Sequence, residues 1–259
     1  MKTTRRLLPA ALAFFLCAVC VVPFLCVLIA SLRDAEGAFT LEYYYQVFLA
    51  ESQYLFRFWK SVGLCLCIAI GQAAVSAPAA YGFAKYRFPG KNILFFILMI
   101  LMILPLQVTL IPNYIILEKA GLLNTYASLA LPAIILPLGT FILTHSFRAL
   151  SNSVIEAARL DGCSLPGLLV RVVLPMSKNA LICVFLLSFL DAWNMVEQPI
   201  TYLKDFADYP IAVALASVPP GDPTVLLTAC VLVTLPPLFL FAFFNRELTE
   251  GIALGGEQG

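Results

Sequence analysis

Glu156-Ala157-Ala158-Arg159-Leu160-Asp161-Gly162 is a short, polar, helix-forming stretch set between two long apolar runs, residues 126–147 and 178–202. Each run is long enough for a helix to cross a bilayer core, which takes roughly 20 residues. A polar helix former between two such runs marks a loop of a polytopic membrane protein. Four more apolar stretches, near residues 7–32, 58–81, 92–117 and 224–245, bring the expected number of spans to six. The sequence therefore reads as an all-α fold: one transmembrane domain over residues 1–259, with a polar loop at about 148–177 that carries the quoted helix.

Composition agrees. With 61% hydrophobic and 12% charged residues and a mean hydropathy of +0.94, the chain lies far from a soluble domain, where about 25% of residues are charged. A formal charge of +1 and the absence of a basic stripe offer nothing to nucleic acid. Cys17, Cys20, Cys26, Cys65, Cys67, Cys183 and Cys230 lie in apolar runs, where cysteine acts as a small hydrophobe. Cys163 lies in the polar loop, and neither a disulfide framework nor a metal site is expected. His145, the single histidine, ends an apolar run and reads as an interfacial side chain. No His pair, no carboxylates at ligand spacing and no Ser/Lys arrangement point to a catalytic residue.

Basic residues in short loops set the orientation. Lys2, Arg5 and Arg6 precede the first span, whose apolar core is too long for a cleaved signal peptide. Lys85, Arg87 and Lys91 fill the loop after the second span. Arg148, Arg159, Arg171 and Lys178 fill the loop after the fourth. Asp34, Glu36, Glu42, Glu51, Asp205, Asp208 and Asp222 fall on the other side. Both termini and the 148–177 loop are thus expected in the cytoplasm. On the outer side, Thr40 is positioned to cap a short helix rich in tyrosine, and the longer loop at 203–223 is placed to meet a soluble carrier.

Within the polar loop, Ser153-x-x-Glu156 has the spacing of a capping box, with Ser153 at the helix start and Glu156 reaching back to it. Ala157 and Ala158 favour helix and leave little bulk, so another surface can come close. Gly162 stands where the helix should stop. A second helical piece can begin at Ser164 with Pro166 in its first turn, and Leu174-Pro175 then leads into the fifth span. Prolines at 23, 78, 105, 112, 132, 137, 236 and 237 are compatible with ordinary kinks or with a bundle of bent helices around a path. Gly71, Ala73, Ala74, Ser76 and Ala77 permit close helix approach.

Glu156-Ala157-Ala158, Asp161-Gly162 and Leu174-Pro175 together resemble the EAA loop of bacterial ABC importer permeases. Phe39-Thr40-Leu41-Glu42-Tyr43, Leu122-Leu123-Asn124-Thr125, Trp193-Asn194 and the tail from Glu250-Gly251 extend the resemblance over nearly the whole chain, within the carbohydrate-importing group and towards the smaller maltose-type permease subunit. Lys60, Ser151, Asn179 and Gln258 depart from that pattern. The resemblance implies that the loop docks on a cytoplasmic ATPase. Ser153, Glu156, Ala157, Ala158, Asp161, Gly162, Leu174 and Pro175 would then be the coupling residues. It implies a second permease subunit, two ATPase copies, an extracytoplasmic solute-binding protein, a sugar substrate and a bacterial inner membrane. The sequence holds no G-x-x-x-x-G-K-[ST] phosphate loop, so no cofactor is expected on this chain, and ATP and Mg would belong to the ATPase partners.

A path for sugar needs polar side chains inside the membrane, where ionisable groups are costly and usually face protein or a cavity. Gln107, Thr109 and Asn113 in the third span and Asp191, Trp193, Asn194 and Glu197 in the fifth are the candidates. Competing readings are an importer of the same architecture for polyamines, phosphate or peptides, and an ion-coupled secondary transporter. The latter usually shows an internal repeat with matched broken helices, which is not found here.

Overall fold

The computed structural model describes residues 4–34, 36–47, 52–216 and 223–256. Lys2, Glu51, Asp222 and Gln258, all used in the sequence reading, lie outside the described residues, as does part of the 203–223 loop. Helix α1 (Thr4–Ser31) is followed by the short α2 (Glu42–Tyr45) and by α3 (Ser52–Lys85), a 34-residue helix. The Thr40 hydroxyl accepts the Glu42 amide at 3.1 Å, and the Tyr44 hydroxyl meets Ser31 at 2.7 Å, tying α2 to the end of α1.

Helix α3 is the axis of the fold. Its buried residues, Arg57, Ser61, Leu64, Cys65, Ile68, Ala69, Gln72, Ser76, Ala77, Ala80 and Tyr81, recur at the three- and four-residue spacing of one helix face. Around its first half, Leu129, Phe189, Trp193 and Tyr202 form one apolar core. Around its last turns, Leu143, Phe147, Ile155, Leu168 and Val173 form a second. Gln72 and Ser188 lie buried in a polar seam between them.

The third expected span is not one helix. It is α4 (Lys91–Ile103) and α5 (Leu106–Lys119), bent by 104° at Leu104-Pro105. Pro105 cannot donate an amide to the preceding turn, so the helix ends before it and restarts after it. The fourth is α6 (Tyr126–Ile134) and α7 (Pro137–Ala149), interrupted at Ile135-Leu136 where Pro137 opens α7. The helix over the polar loop is α8 (Asn152–Leu160). It leads to α9 (Leu165–Leu168), a π-helical turn at Leu169–Val173 and α10 (Leu174–Met176), with Pro175 in the first turn of that last piece. An 87° bend then opens α11 (Lys178–Trp193). The fifth span therefore ends at Trp193, not near residue 202; α12 (Glu197–Tyr202) is a separate short helix. After it come a turn of 3-10 helix (Phe206–Asp208), α13 (Ile211–Ala216) and α14 (Pro223–Gly256).

Among the described residues, three stretches are long and apolar enough to cross a membrane, Tyr54–Lys85, Tyr126–Ala149 and Thr224–Glu247, and five if each bent pair is one crossing. Phe15–Ser31 of α1 is a shorter apolar segment. Exposed Ile103, Phe239, Phe241 and Phe243 belong to a broad apolar outer surface that suits lipid tails.

Candidate functional site

Two places in this fold carry chemistry: the polar loop at one end of the bundle and a cavity inside it. In the loop, α8 is amphipathic. Ile155 is buried and Ala158 is half-buried against the second core, whereas Glu156, Ala157, Leu160 and Asp161 face outward. Leu160 is 88% exposed at the tip, next to the small Ala157.

Gly162 ends α8 at φ +80°, in the left-handed region that costs glycine least. The Cys163 amide donates to the Ala158 carbonyl and the Gly162 amide to the Arg159 carbonyl, both at 3.0 Å. That pair of bonds is a Schellman stop. Its start differs from the expectation. The cap position is Ser151, not Ser153, and no side chain caps α8. Ser153 lies inside the first turn with its hydroxyl 2.6 Å from that of Ser151. Glu156 therefore falls past the third helical position and does not reach back. The capping box fails because the extended backbone at Ser151 starts the helix two residues early.

Sequence reasoning also missed what holds α8 to the bundle. Lys85, on the last turn of α3, donates to the Leu150 carbonyl at 2.7 Å and to Asn152 Oδ1 at 2.9 Å. Arg159 Nη2 donates to the Tyr81 hydroxyl at 3.1 Å. These pairs join residues far apart in sequence, and no local pattern announces them. Downstream, the amide of Leu168 donates to the Ser164 carbonyl at 2.8 Å, so the second helical piece starts where the sequence places it. Leu174 and Pro175 stay helical up to the bend at Ser177.

The cavity, of about 430 Å³, lies between α3, α5, α6, α11 and α12. It opens where α11 stops at Asn194, because the chain leaves the helix there and turns polar side chains inward. Thr109, Asn113, Asp191, Asn194, Glu197 and Gln198 line it. Gln107 stands beside it, with Nε2 donating to Glu197 at 3.0 and 3.3 Å across the gap from α5 to α12. The Asn194 amide nitrogen donates to the Leu190 carbonyl at 2.9 Å.

Trp193 does not join them. It is 3% exposed, its Nε1 donates to the Val233 carbonyl at 3.2 Å, and its ring packs against Phe58 and Phe189. It anchors α11 to α14 as a core residue, so its expected place on the sugar path is withdrawn.

At the cavity floor is a residue the sequence reading passed over. Gln72 Nε2 donates to the Leu136 carbonyl at 3.1 Å, and its Oε1 accepts from the Ser188 hydroxyl. Both ends of this amide are engaged by protein. A lone amide in the middle of an apolar span was the available signal, because such groups need a partner in lipid.

Residues 73–252 match the family described as "binding-protein-dependent transport system inner membrane component". The chain is 28% identical over 261 residues to an arabinooligosaccharide transport system permease of Halalkalibacterium halodurans, covering 95% of this chain and 94% of that one. It is 27% identical to a polygalacturonan/rhamnogalacturonan transport system permease of Bacillus subtilis, covering 93% of each. A chain from a bacterial ABC transporter involved in importing the acidic polysaccharide alginate superposes with a TM-score of 0.80 at 19% identity, covering 95% of this chain and 96% of that chain. The matched segment contains the polar loop, its glycine stop, the bent α11 and the cavity-lining residues from Leu106 onward, and it takes in well over half of the sequence. This chain therefore belongs to the family of inner membrane components of binding-protein-dependent transport systems.

Proposed function

We propose that the chain is the membrane-spanning subunit of an ATP-driven importer that moves a sugar or oligosaccharide by alternating access. Its partners are a second permease subunit, two copies of a cytoplasmic ATPase and an extracytoplasmic binding protein. The carrying observation is α8: one side is pinned to the bundle by Ile155, Lys85 and Arg159, and the other offers Glu156, Ala157, Leu160 and Asp161 to a partner. In this reading both termini and the loop face the cytoplasm. Leu160 fills an apolar cleft on the ATPase, Ala157 lets the surfaces meet, and Gly162 keeps the lever short. ATP and Mg bind the ATPase subunits.

Asn113, Asp191, Asn194, Glu197 and Gln198 are the hydroxyl-reading wall of the path. Its lining holds two carboxylates and no Lys, Arg or His. Such a wall repels uronate chains and suits an uncharged oligosaccharide, the class named for the arabinooligosaccharide relative. With Trp193 in the core, Tyr202 is the aromatic side chain in the cavity lining. The same two carboxylates fit a polyamine, which is the competing reading. Proteoliposomes holding the complete transporter separate the two. ATP-dependent uptake of labelled arabino-oligosaccharide, with oligogalacturonate and spermidine failing to compete, is the expected result. Uptake of spermidine alone overturns the sugar reading, and uptake without ATP overturns the importer.

A further inference from the structure

Helix α3 is bound to the rest of the molecule by polar ties at three levels. At one end, Tyr81 and Lys85 hold Arg159, Asn152 and the Leu150 carbonyl of the α8 region. In the middle, Gln72 holds Leu136 and Ser188 at the cavity floor. Towards the other end, the Ser61 hydroxyl accepts the Ile211 amide at 2.8 Å, and Lys60 pairs with Asp208 at 3.4 Å. Helix α11 also spans both cores, from Ala180 and Val184 to Phe189 and Trp193, whereas α7 contributes Leu143 and Phe147 to the second core. Both are cut by breaks: α7 begins only at Pro137, and α11 is bent away from the loop at Ser177.

The middle tie sits on the interruption between α6 and α7. At Ile135-Leu136 the chain is not helical, Leu136 has extended backbone angles, and Pro137 donates no amide. Gln72 adds a side-chain donor to the Leu136 carbonyl, at the cap position of α7. Helix α3 meshes with this break on both sides. A Cβ on Gly71 would stand 2.7 Å from Ile134, and one on Gly139 would stand 2.6 Å from Ser76 Oγ. There is no slack in this packing, so α3 cannot shift along or around its axis without carrying α6 and α7 with it.

We infer that α3, through Tyr81 and Lys85 at the loop end and Gln72 at the cavity floor, transmits movement of α8 to the α6–α7 break that lines the transport cavity. Tyr81, Lys85 and Gln72 are positioning residues for transport. Gln72 lies roughly 14–20 Å along the helix from the Tyr81 and Lys85 ties, at about 1.5 Å per residue. Pro78 lies between them and removes one backbone bond, yet α3 continues through it as a single helix. The Gln72 amide acts as the catch. It holds the break in one arrangement while α8 is at rest and lets it rearrange when α3 is pulled.

The inference rests on the importer reading and is tested apart from it. The complete transporter is reconstituted in proteoliposomes, and labelled arabino-oligosaccharide uptake and ATP hydrolysis are measured together. Tyr81→Phe removes only the hydroxyl; Tyr81→Phe with Lys85→Met frees the loop end; Gln72→Leu frees the break at similar volume. Each of the last two changes should lower solute moved per ATP by about tenfold, the size of an ordinary coupling between sites. ATPase co-purification and hydrolysis should persist, and combining the two changes should add little, because both cut the same link. An unchanged ratio of uptake to hydrolysis, or two independent losses that multiply, overturns the inference. If Gln72→Leu blocks assembly, Tyr81→Phe and Ser188→Ala decide by the same ratio. Absence of ATP-driven uptake by the unaltered complex would instead count against the importer reading.

Discussion

Gly162 has φ +80°, and nothing lies within 4 Å of the place where its Cβ would stand. A side chain there meets no clash; the strain is entirely in the backbone. Gly162→Val should cost the α8 stop about 1–2 kcal/mol, the penalty of a left-handed conformation for an ordinary residue. The expected outcome is normal membrane insertion with loss of ATPase co-purification and uptake. Transport at the original level would remove this glycine from the coupling machinery. Trp193 and Asp191, two residues apart, make a second contrast at this scale. Trp193→Phe keeps the stacking ring and loses the bond to the Val233 carbonyl, so it should lower thermal stability by about 1 kcal/mol and leave the KM for uptake unaltered. Asp191→Asn, facing the cavity, should change KM with little effect on stability. A reversed pattern would return the tryptophan to the solute path.

At the scale of the element, proline proved the least readable residue. Pro105 and Pro137 start new helices, whereas Pro78, Pro112, Pro132, Pro236 and Pro237 remain inside theirs. Nothing local in the sequence separates the two groups. At Pro137 the carbonyl left without its helical donor is that of Ala133, which accepts the Leu136 amide at 3.3 Å. The apolar runs were legible as helices because their length and hydropathy are set by the bilayer, and the α8 stop was legible because it depends on one local dihedral. The start of α8 was not, because Ser151 and Ser153 are equally good caps by composition. Nor were the ties from Lys85 and Tyr81, which exist only once distant segments meet. Close packing of α3 against α7 was partly legible in the small residues from Gly71 to Ala77, and it supplies a prediction. Gly139→Val places new atoms against Ser76 and Val184. Overpacking of this kind costs about 1–3 kcal/mol; the variant should melt earlier in detergent and hydrolyse ATP without moving solute. A wild-type melting point would show that α3 and α7 can separate freely.

Across the whole molecule, the two apolar cores sit at different levels of α3 with the polar seam between them, and α3 and α11 both run through the two cores. The outer level is the easiest to probe. Ser61 and Ile211 are both buried, and Ser61→Ala would leave the Ile211 amide without its acceptor. A buried unpaired amide costs about 1–3 kcal/mol, so the segment around Phe206–Asp208 should become more open to limited proteolysis while α8 stays protected. Equal protection in both forms would mean that the outer loop is held by other contacts. The bend at Leu104-Pro105 has a further consequence, for biogenesis. Neither half, of 13 and 14 residues, spans a hydrocarbon core of about 30 Å alone, at about 1.5 Å per residue. Together they pass as one apolar segment. The bend that Pro105 allows is held by α12, through Gln107 to Glu197 and Tyr202 to the Leu110 carbonyl. The final shape of this region therefore depends on residues synthesised 90 and 92 positions later.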